Sequence, residues 1–396
     1  MIRNLLRKIV PEFLLKAYHY CLAFLGALFY GFPSKKLIVV GITGTSGKST
    51  VAELTSFILE KSGNKTASMS SVRFKIGDKE EENKLKMTMP GRFKIQKFLK
   101  QAVNEGCKFA VSEVTSEGIK QFRHKFIKFD IAVLTNLTPE HIESHGGFEN
   151  YREAKSELFR ACKNIHIINL DDENADYFWK IPAKNKIGFS RNEFDEVLPE
   201  RMNMPGEFNK YNALAAVKTA VTLGVSLQDC RELLQEFGGI EGRMETIIEK
   251  PFKAIVDYAH TPEQLEKAYE TINSKNLICV FGSCGGGRDK RKRPVLGRIA
   301  AKYCQKIILT NEDPYDEDPV QILSMIKSGV FDSRFPKADF YEIPNRREAI
   351  KKALSLAEAD DIVIITGKGS EPWMCLANGK KIPWKDGKIV KEELSK

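Results

Sequence analysis

The chain has 396 residues, 42% hydrophobic and 29% charged, a composition that reads as a soluble globular protein rather than a wholly disordered one and leaves room for two or three domains. Its 62 Lys and Arg against 52 Asp and Glu give a net charge of +10. That excess is spread along the chain rather than gathered in a stripe, so no nucleic-acid partner is indicated, although other anionic partners suit it. Eight cysteines occur singly, without a C-x-x-C pair. A disulfide scaffold and a zinc ribbon are thereby disfavoured, and a reducing, cytoplasmic setting is expected.

The first 36 residues read as an apolar helical segment. Arg3, Arg7 and Lys8 precede a run from Phe13 to Phe32 that only Lys16 and His19 interrupt. Such a run is expected to pack on the body of the protein or to lie at a membrane surface through residues 1–32, in preference to spanning a bilayer. No small-x-small cleavage site follows it, so a signal peptide is disfavoured.

From residue 37 one pattern repeats: a short apolar run, an abrupt polar or glycine-rich stretch, then a helical stretch. "KLIVVGITGTSGKST", "FAVSEVTSE", "DIAVLTNLTPEH" and "IHIINLDDE" come first; "KAIVDYAHTPE", "NLICVFGSCGGGRDK", "KIILTNEDP" and "DIVIITGKGSE" follow. Continuous apolar strands alternating with helices predict α/β domains with mostly parallel sheets, whose ligands bind beyond the carboxyl ends of the strands. The stretch from Met202 to Arg243 has no strand pattern, and Ala213, Ala216, Val217 and Ala220 form a helical apolar face. A boundary is therefore expected after it, giving a P-loop nucleotide domain over 37–243 and a Rossmann-like α/β domain over 244–396.

"GITGTSGKST" carries the first chemistry. Gly44, Thr45, Ser46 and Gly47 offer backbone N–H groups to phosphate, Lys48 can reach the β/γ-phosphates, Ser49 can ligate Mg²⁺, and Thr50 opens the helix. Strict Walker spacing would place glycine at 42, where Ile42 stands. Further on, "FENYREAKSELF" places Lys155 in the middle of an apolar stripe formed by Tyr151, Ala154, Leu158 and Phe159. A lysine there is expected to be buried, against the usual rule for that residue.

In "TNLTPEHIESHGGFENYREAKSELF", followed in order by "MPGEFNKYNALAA", "GRMETI", "VDYAHTPEQLEKA", "FGSCGGGRDKRKRP", "TNEDPYDEDP" and "TGKGSE", the chain resembles the Mur ligases over roughly residues 37–372. Within that family it is most similar to the MurE-type branch, which adds the third residue to UDP-N-acetylmuramoyl-dipeptide. The resemblance implies an ATP-dependent ligase of peptidoglycan biosynthesis that forms an amide through an acyl phosphate. It implies Glu113, His141 and a carbamylated Lys155 as ligands of magnesium beside Ser49, with Lys48, His141, Lys155 and Arg243 as the catalytic set. It also implies Asn136, Asn209, Asn212, Arg243, Asp257 and His260 as ATP contacts, and Asp313, Tyr315, Glu371 and Arg288 as the amino-acid pocket.

Four departures accompany the resemblance. The family's N-terminal UDP-binding domain does not fit into 36 residues, so the acceptor is expected to be either a UDP-muramoyl peptide held differently or a lipid-linked peptide. Tyr315 stands where relatives that add diaminopimelate carry an arginine, and Asp313 and Glu371 can receive an amino group; a lysine-like diamine is expected in preference to diaminopimelate. Ser370 and Glu117 replace usual histidine or glutamine positions. A monomer is expected. Two other readings share the ATP chemistry: a folylpolyglutamate-synthase-like ligase, and a membrane-associated Mur-like ATP-binding subunit of an amidotransferase complex.

Overall fold

The computed structural model describes residues 11–85, 87–139, 145–332 and 338–396. It divides into two compact units: residues 1–203 with 208–237, and 204–207 with 238–396. The division thus falls at Phe237 and Gly238, ahead of the expected position after Arg243, and residues 11–36 join the first unit rather than standing apart.

The first unit is built on eight strands: β1 (Ile38–Thr43), β2 (Thr66–Met69), β3 (Arg73–Ile76), β4 (Lys79–Glu82), β5 (Phe109–Glu113), β6 (Ile131–Leu134), β7 (Ile165–Asn169) and β8 (Asn185–Phe189). Their order is β4-β3-β2-β5-β1-β6-β7-β8. From β2 through β8 neighbouring strands run parallel, and β3 and β4 add an antiparallel edge. Central β5 is buried along its whole length, as a strand covered on both faces must be.

At Gly41 of β1 an added Cβ would lie 2.8 Å from both Leu158 and Phe129. Absence of a side chain there seats the helix Phe148–Ala161 tightly on the strand that feeds the phosphate loop. Tyr151, Lys155, Leu158 and Phe159 all face inward from that helix. The N-terminal helix Glu12–Phe29 sets its Gly26 against Phe93 of the helix Arg92–Asn104. Among the described residues no helix is long and apolar enough to cross a membrane.

At the end of the first expected domain, the residues 202–243 form the helices Glu207–Thr222 and Leu227–Glu236 and add no strand to either sheet. Ala213, Ala216, Val217 and Ala220 are buried on the first of them.

The second unit carries β9 (Glu245–Ile248), β10 (Lys253–Asp257), β11 (Leu277–Phe281), β12 (Lys306–Leu309), β13 (Asp339–Glu342) and β14 (Ile362–Thr366) in the order β13-β12-β11-β14-β10-β9. Only β9 is antiparallel. A hairpin of β15 (Trp373–Cys375) and β16 (Lys381–Pro383) follows. Ile278, Val280, Ile308, Val363 and Ile365 fill one core of this sheet together with Ala349, Ile350 and Ala353 from the helix Arg346–Leu356.

Candidate active site

In the first unit, β1 ends at Thr43 and the chain turns through Gly44 to Gly47 before the helix Lys48–Lys61 begins. Two of these positions require glycine. Gly44 has φ +153° and its Cβ would lie 1.9 Å from Thr135 Oγ1; Gly47 has φ +81° and its Cβ would lie 2.1 Å from Asn212 Oδ1. The loop is clasped by its neighbours: Ser46 N donates to Asn136 Oδ1 at 2.9 Å, Thr45 N to the Asn136 carbonyl at 2.9 Å, and the Thr45 and Tyr151 hydroxyls meet at 3.1 Å. Asn212 in turn donates to Asn209 at 3.2 Å. Asn136, Asn209 and Asn212, chosen as ATP contacts, are thus gathered at the phosphate loop.

Cationic charge converges on one oxygen of that loop. Lys48 Nζ donates to the Gly44 carbonyl at 2.9 Å and to the Thr45 carbonyl at 2.8 Å. Lys155 Nζ, on a residue only 2% exposed, reaches the same Gly44 carbonyl at 2.6 Å and lies 4.6 Å from the centre of the Tyr151 ring. Two amines held beside a glycine-rich loop that opens the helix Lys48–Lys61 suit a polyphosphate.

Oxygen donors adjoin it. The Ser49 and Ser71 hydroxyls are 2.7 Å apart, and Ser71 N donates to Glu113 Oε1 at 2.6 Å, with Glu113 1% exposed. Among the described residues no three His, Cys, Asp or Glu side chains gather as a metal cage. A hydroxyl and one carboxylate fit Mg²⁺, which keeps waters and takes its remaining ligands from substrate phosphates. His141, the other proposed ligand, lies outside the described residues. Nearby, His145 Nε2 meets Ser116 Oγ at 3.1 Å, with Glu117 Oε1 3.6 Å away.

The second unit has its own polar cluster at the carboxyl ends of β10, β12 and β14. Lys368, just past β14 and fully buried, donates to Asp313 Oδ2 at 2.9 Å and to Glu371 Oε2 at 2.5 Å. Asp313 Oδ1 also accepts from Cys375 N at 2.6 Å, while Tyr258 OH donates to Glu371 Oε1 at 3.3 Å. The Arg243 guanidinium stacks over the Tyr258 ring at 4.0 Å, a cation–π arrangement.

Asp257 accepts from Met244 N and Ala259 N, each at 2.7 Å, which fastens the turn after β10. Desolvation raises its pKa, and Arg243 opposes the rise. His260 Nδ1 lies 2.9 Å from the Tyr258 carbonyl. Glu312, 3% exposed, accepts from the Cys284 thiol at 2.9 Å; desolvation and that carboxylate push the thiol's pKa well up. Arg288, exposed on the loop after β11, is within electrostatic range of Cys284, Tyr258, Tyr315 and Glu371. Tyr315 itself takes φ +51° beside Gly286, whose Cβ would meet the ring at 2.8 Å.

Asp313, Glu371, Arg243, Asp257 and His260 are therefore brought to one end of this sheet. Sequence reasoning passed over Lys368, Glu312, Tyr258 and, in the first unit, Ser71, Thr135 and Tyr151. Lys368 and Glu312 were findable, since both follow an apolar strand in the same way as the residues that were chosen. Ser71 was not, because the strand before it, Thr66–Met69, carries no clear apolar run.

Known proteins resemble this chain over most of its length. The Mur ligase middle domain matches residues 42–198, and the Mur ligase glutamate ligase domain matches residues 242–369. A UDP-N-acetylmuramoyl-L-alanyl-D-glutamate–2,6-diaminopimelate ligase of Syntrophomonas wolfei is 37% identical over 94% of this chain and 81% of its own length. A solved structure of a ligase of that same description is 31% identical, with a TM-score of 0.61 over 91% of this chain and 78% of its own. Folylpolyglutamate synthase of Mycobacterium tuberculosis, at 15% identity, shares the fold with a TM-score of 0.70 over 88% of this chain and 92% of its own. The chain belongs to the Mur ligase family, and it is an ATP-dependent ligase that forms an amide bond.

Proposed function

We propose that this ligase joins a 2,6-diamino acid to the terminal carboxylate of a peptidoglycan-precursor peptide, in the cytoplasm where ATP is available. The substrate class follows the diaminopimelate ligase of Syntrophomonas wolfei, 37% identical. The expectation of a lysine-like amine rested on Tyr315 in place of an arginine and on Asp313 and Glu371 as receivers of an amino group. Lys368 already bonds both carboxylates, so they give lysine no advantage over diaminopimelate.

The acceptor carboxylate oxygen attacks the γ-phosphorus of ATP, the bond to the bridging oxygen breaks, and ADP leaves with its electron pair. The incoming amine then attacks the acyl carbon, inorganic phosphate departs, and the amine loses a proton. The first step brings two anions together and the second releases phosphate, so positive charge must be fixed in place beforehand. Lys48 and the loop N–H groups hold the phosphates. Magnesium, when bound, neutralises the phosphate oxygens, and Ser49, Glu113, His141 and Lys155 would hold it.

One observation carries the reading of Lys155: its amine shares the Gly44 carbonyl with Lys48, on a residue 2% exposed. Two ammonium groups on one oxygen repel each other. Addition of the neutral amine to CO₂ releases one proton and leaves a carbamate, which turns the second cation into an oxygen ligand for magnesium.

The test is phosphate release from ATP with meso-diaminopimelate, L-lysine and other amino acids, using UDP-muramoyl dipeptide and lipid-linked dipeptide as acceptors. Release that needs both an acceptor and a diamino acid is expected. Absence of amino-acid-dependent release with every acceptor overturns the proposal in favour of an ATP-binding subunit that serves another catalyst.

A further inference from the structure

The helix Glu12–Phe29 is packed with its residue sizes inverted. Its small residues Ala23, Gly26 and Ala27 are buried against the body of the first unit. Its large ones face outward: Phe13 is 68% exposed and Phe29 75%, with Leu14, Phe24, Leu25 and Leu28 exposed between them. At 100° per residue these six lie within an arc of about 160°, and Lys16 and His19 lie outside it. An element selected only to complete a globular core would bury the aromatic and leucine side and expose the alanines. A contiguous apolar face of this kind, running about 27 Å along an 18-residue helix, marks a contact surface.

Charge identifies what it contacts. Although the basic excess is spread over the chain as a whole, the first 36 residues hold six basic residues and a single acidic one, Glu12. No other Asp or Glu occurs before Glu53. Lys16, Lys35 and Lys36 are exposed on and just after the helix, and Lys94 and Lys97 are exposed on the neighbouring helix, whose Phe93 meets Phe29 at a ring distance of 6.4 Å. An apolar face rimmed by lysines is the chemistry of a helix lying in the interface of an anionic bilayer, with its side chains in the acyl boundary and its ammonium groups among the headgroups.

We propose that the Glu12–Phe29 helix docks the first unit onto an anionic lipid surface. This does not depend on which amino acid or acceptor the ligase uses. Flotation of the full chain with vesicles tests it directly. The chain is expected to float with phosphatidylcholine vesicles that contain phosphatidylglycerol, about ten-fold less with phosphatidylcholine alone, and to detach at high salt.

Leu14→Ser combined with Leu25→Ser is expected to lower partition about ten-fold while thermal midpoint and phosphate release stay unchanged. Lys35→Glu with Lys36→Glu is expected to remove the preference for anionic lipid. Failure to float with either vesicle, or flotation that the leucine changes do not weaken, overturns the proposal. So does concentration-dependent self-association that the same leucine changes abolish without any vesicle binding, which would assign the face to a second copy of the chain.

Discussion

Around Gly44 two lysine amines converge on one carbonyl oxygen, whereas around Lys368 one buried ammonium is shared by two carboxylates. The first arrangement concentrates positive charge where phosphate is expected. The second is satisfied within the protein: Asp313 has a cation on one oxygen and the Cys375 N–H on the other. Groups of the first kind are placed for chemistry, and groups of the second kind hold the loops after β12 and β14 together. Equivalent substitutions at the two lysines should therefore read out on different scales.

The largest effect is expected from Lys155→Ala. Amino-acid-dependent phosphate release should fall about 10³-fold, the order seen when a fixed electrostatic group of an active site is removed. Added short carboxylates should restore part of the activity if the lysine acts as a carbamate. Unchanged turnover in this variant would remove Lys155 from the mechanism.

Lys368→Met is the complementary case. It leaves Asp313, 2% exposed, without its cation, and removal of one partner from a buried pair costs about 3–5 kcal/mol. Urea unfolding should show that loss, and the double change Lys368→Met with Asp313→Asn should recover part of it, because a neutral amide is cheaper to bury than an unpaired carboxylate. Loss of turnover with intact stability in Lys368→Met would reverse the contrast between the two sites.

What was readable in the chain divides along the same line. The parallel strands and the phosphate loop were legible because β1, β5, β6, β7, β10, β11, β12 and β14 are apolar runs that stop abruptly at glycine or polar residues. Lys155 was legible because helical periodicity alone places it among Tyr151, Leu158 and Phe159. The edge strands β3 and β4 were not, since "RFKI" and "KEEE" are half-buried or exposed and owe their conformation to pairing with β2. The pairing of Lys368 with Asp313 was equally hidden: the two are 55 residues apart, and only the adjacency of β12, β11 and β14 brings them together.

The basic run "RDKRKRP" shows the same limit on a smaller scale, and it supplies the mildest test. Its density of basic residues reads as a solvated loop, yet Arg293 is fully buried and grips Glu317 through both guanidinium nitrogens, at 2.7 and 3.0 Å, with the Cys284 carbonyl at 3.2 Å. Hydrogen bonding from Arg293 holds the Glu317 carboxyl down at about 2. A carboxyl depressed in the folded state contributes stability above its unfolded value of about 4.3, and that contribution is lost as pH falls through the folded value. Arg293→Met should therefore lower stability at neutral pH by about 2 kcal/mol, with the gap from the parent protein narrowing between about pH 4 and pH 2. Lys290, 2.8 Å from Glu317, limits how far the carboxyl returns to its usual range. Urea midpoints measured at neutral and acid pH separate the two cases. A gap independent of pH would mean that Arg293 acts by filling space and by holding the Cys284 carbonyl, and that its charge is not part of the satisfied network of the second unit.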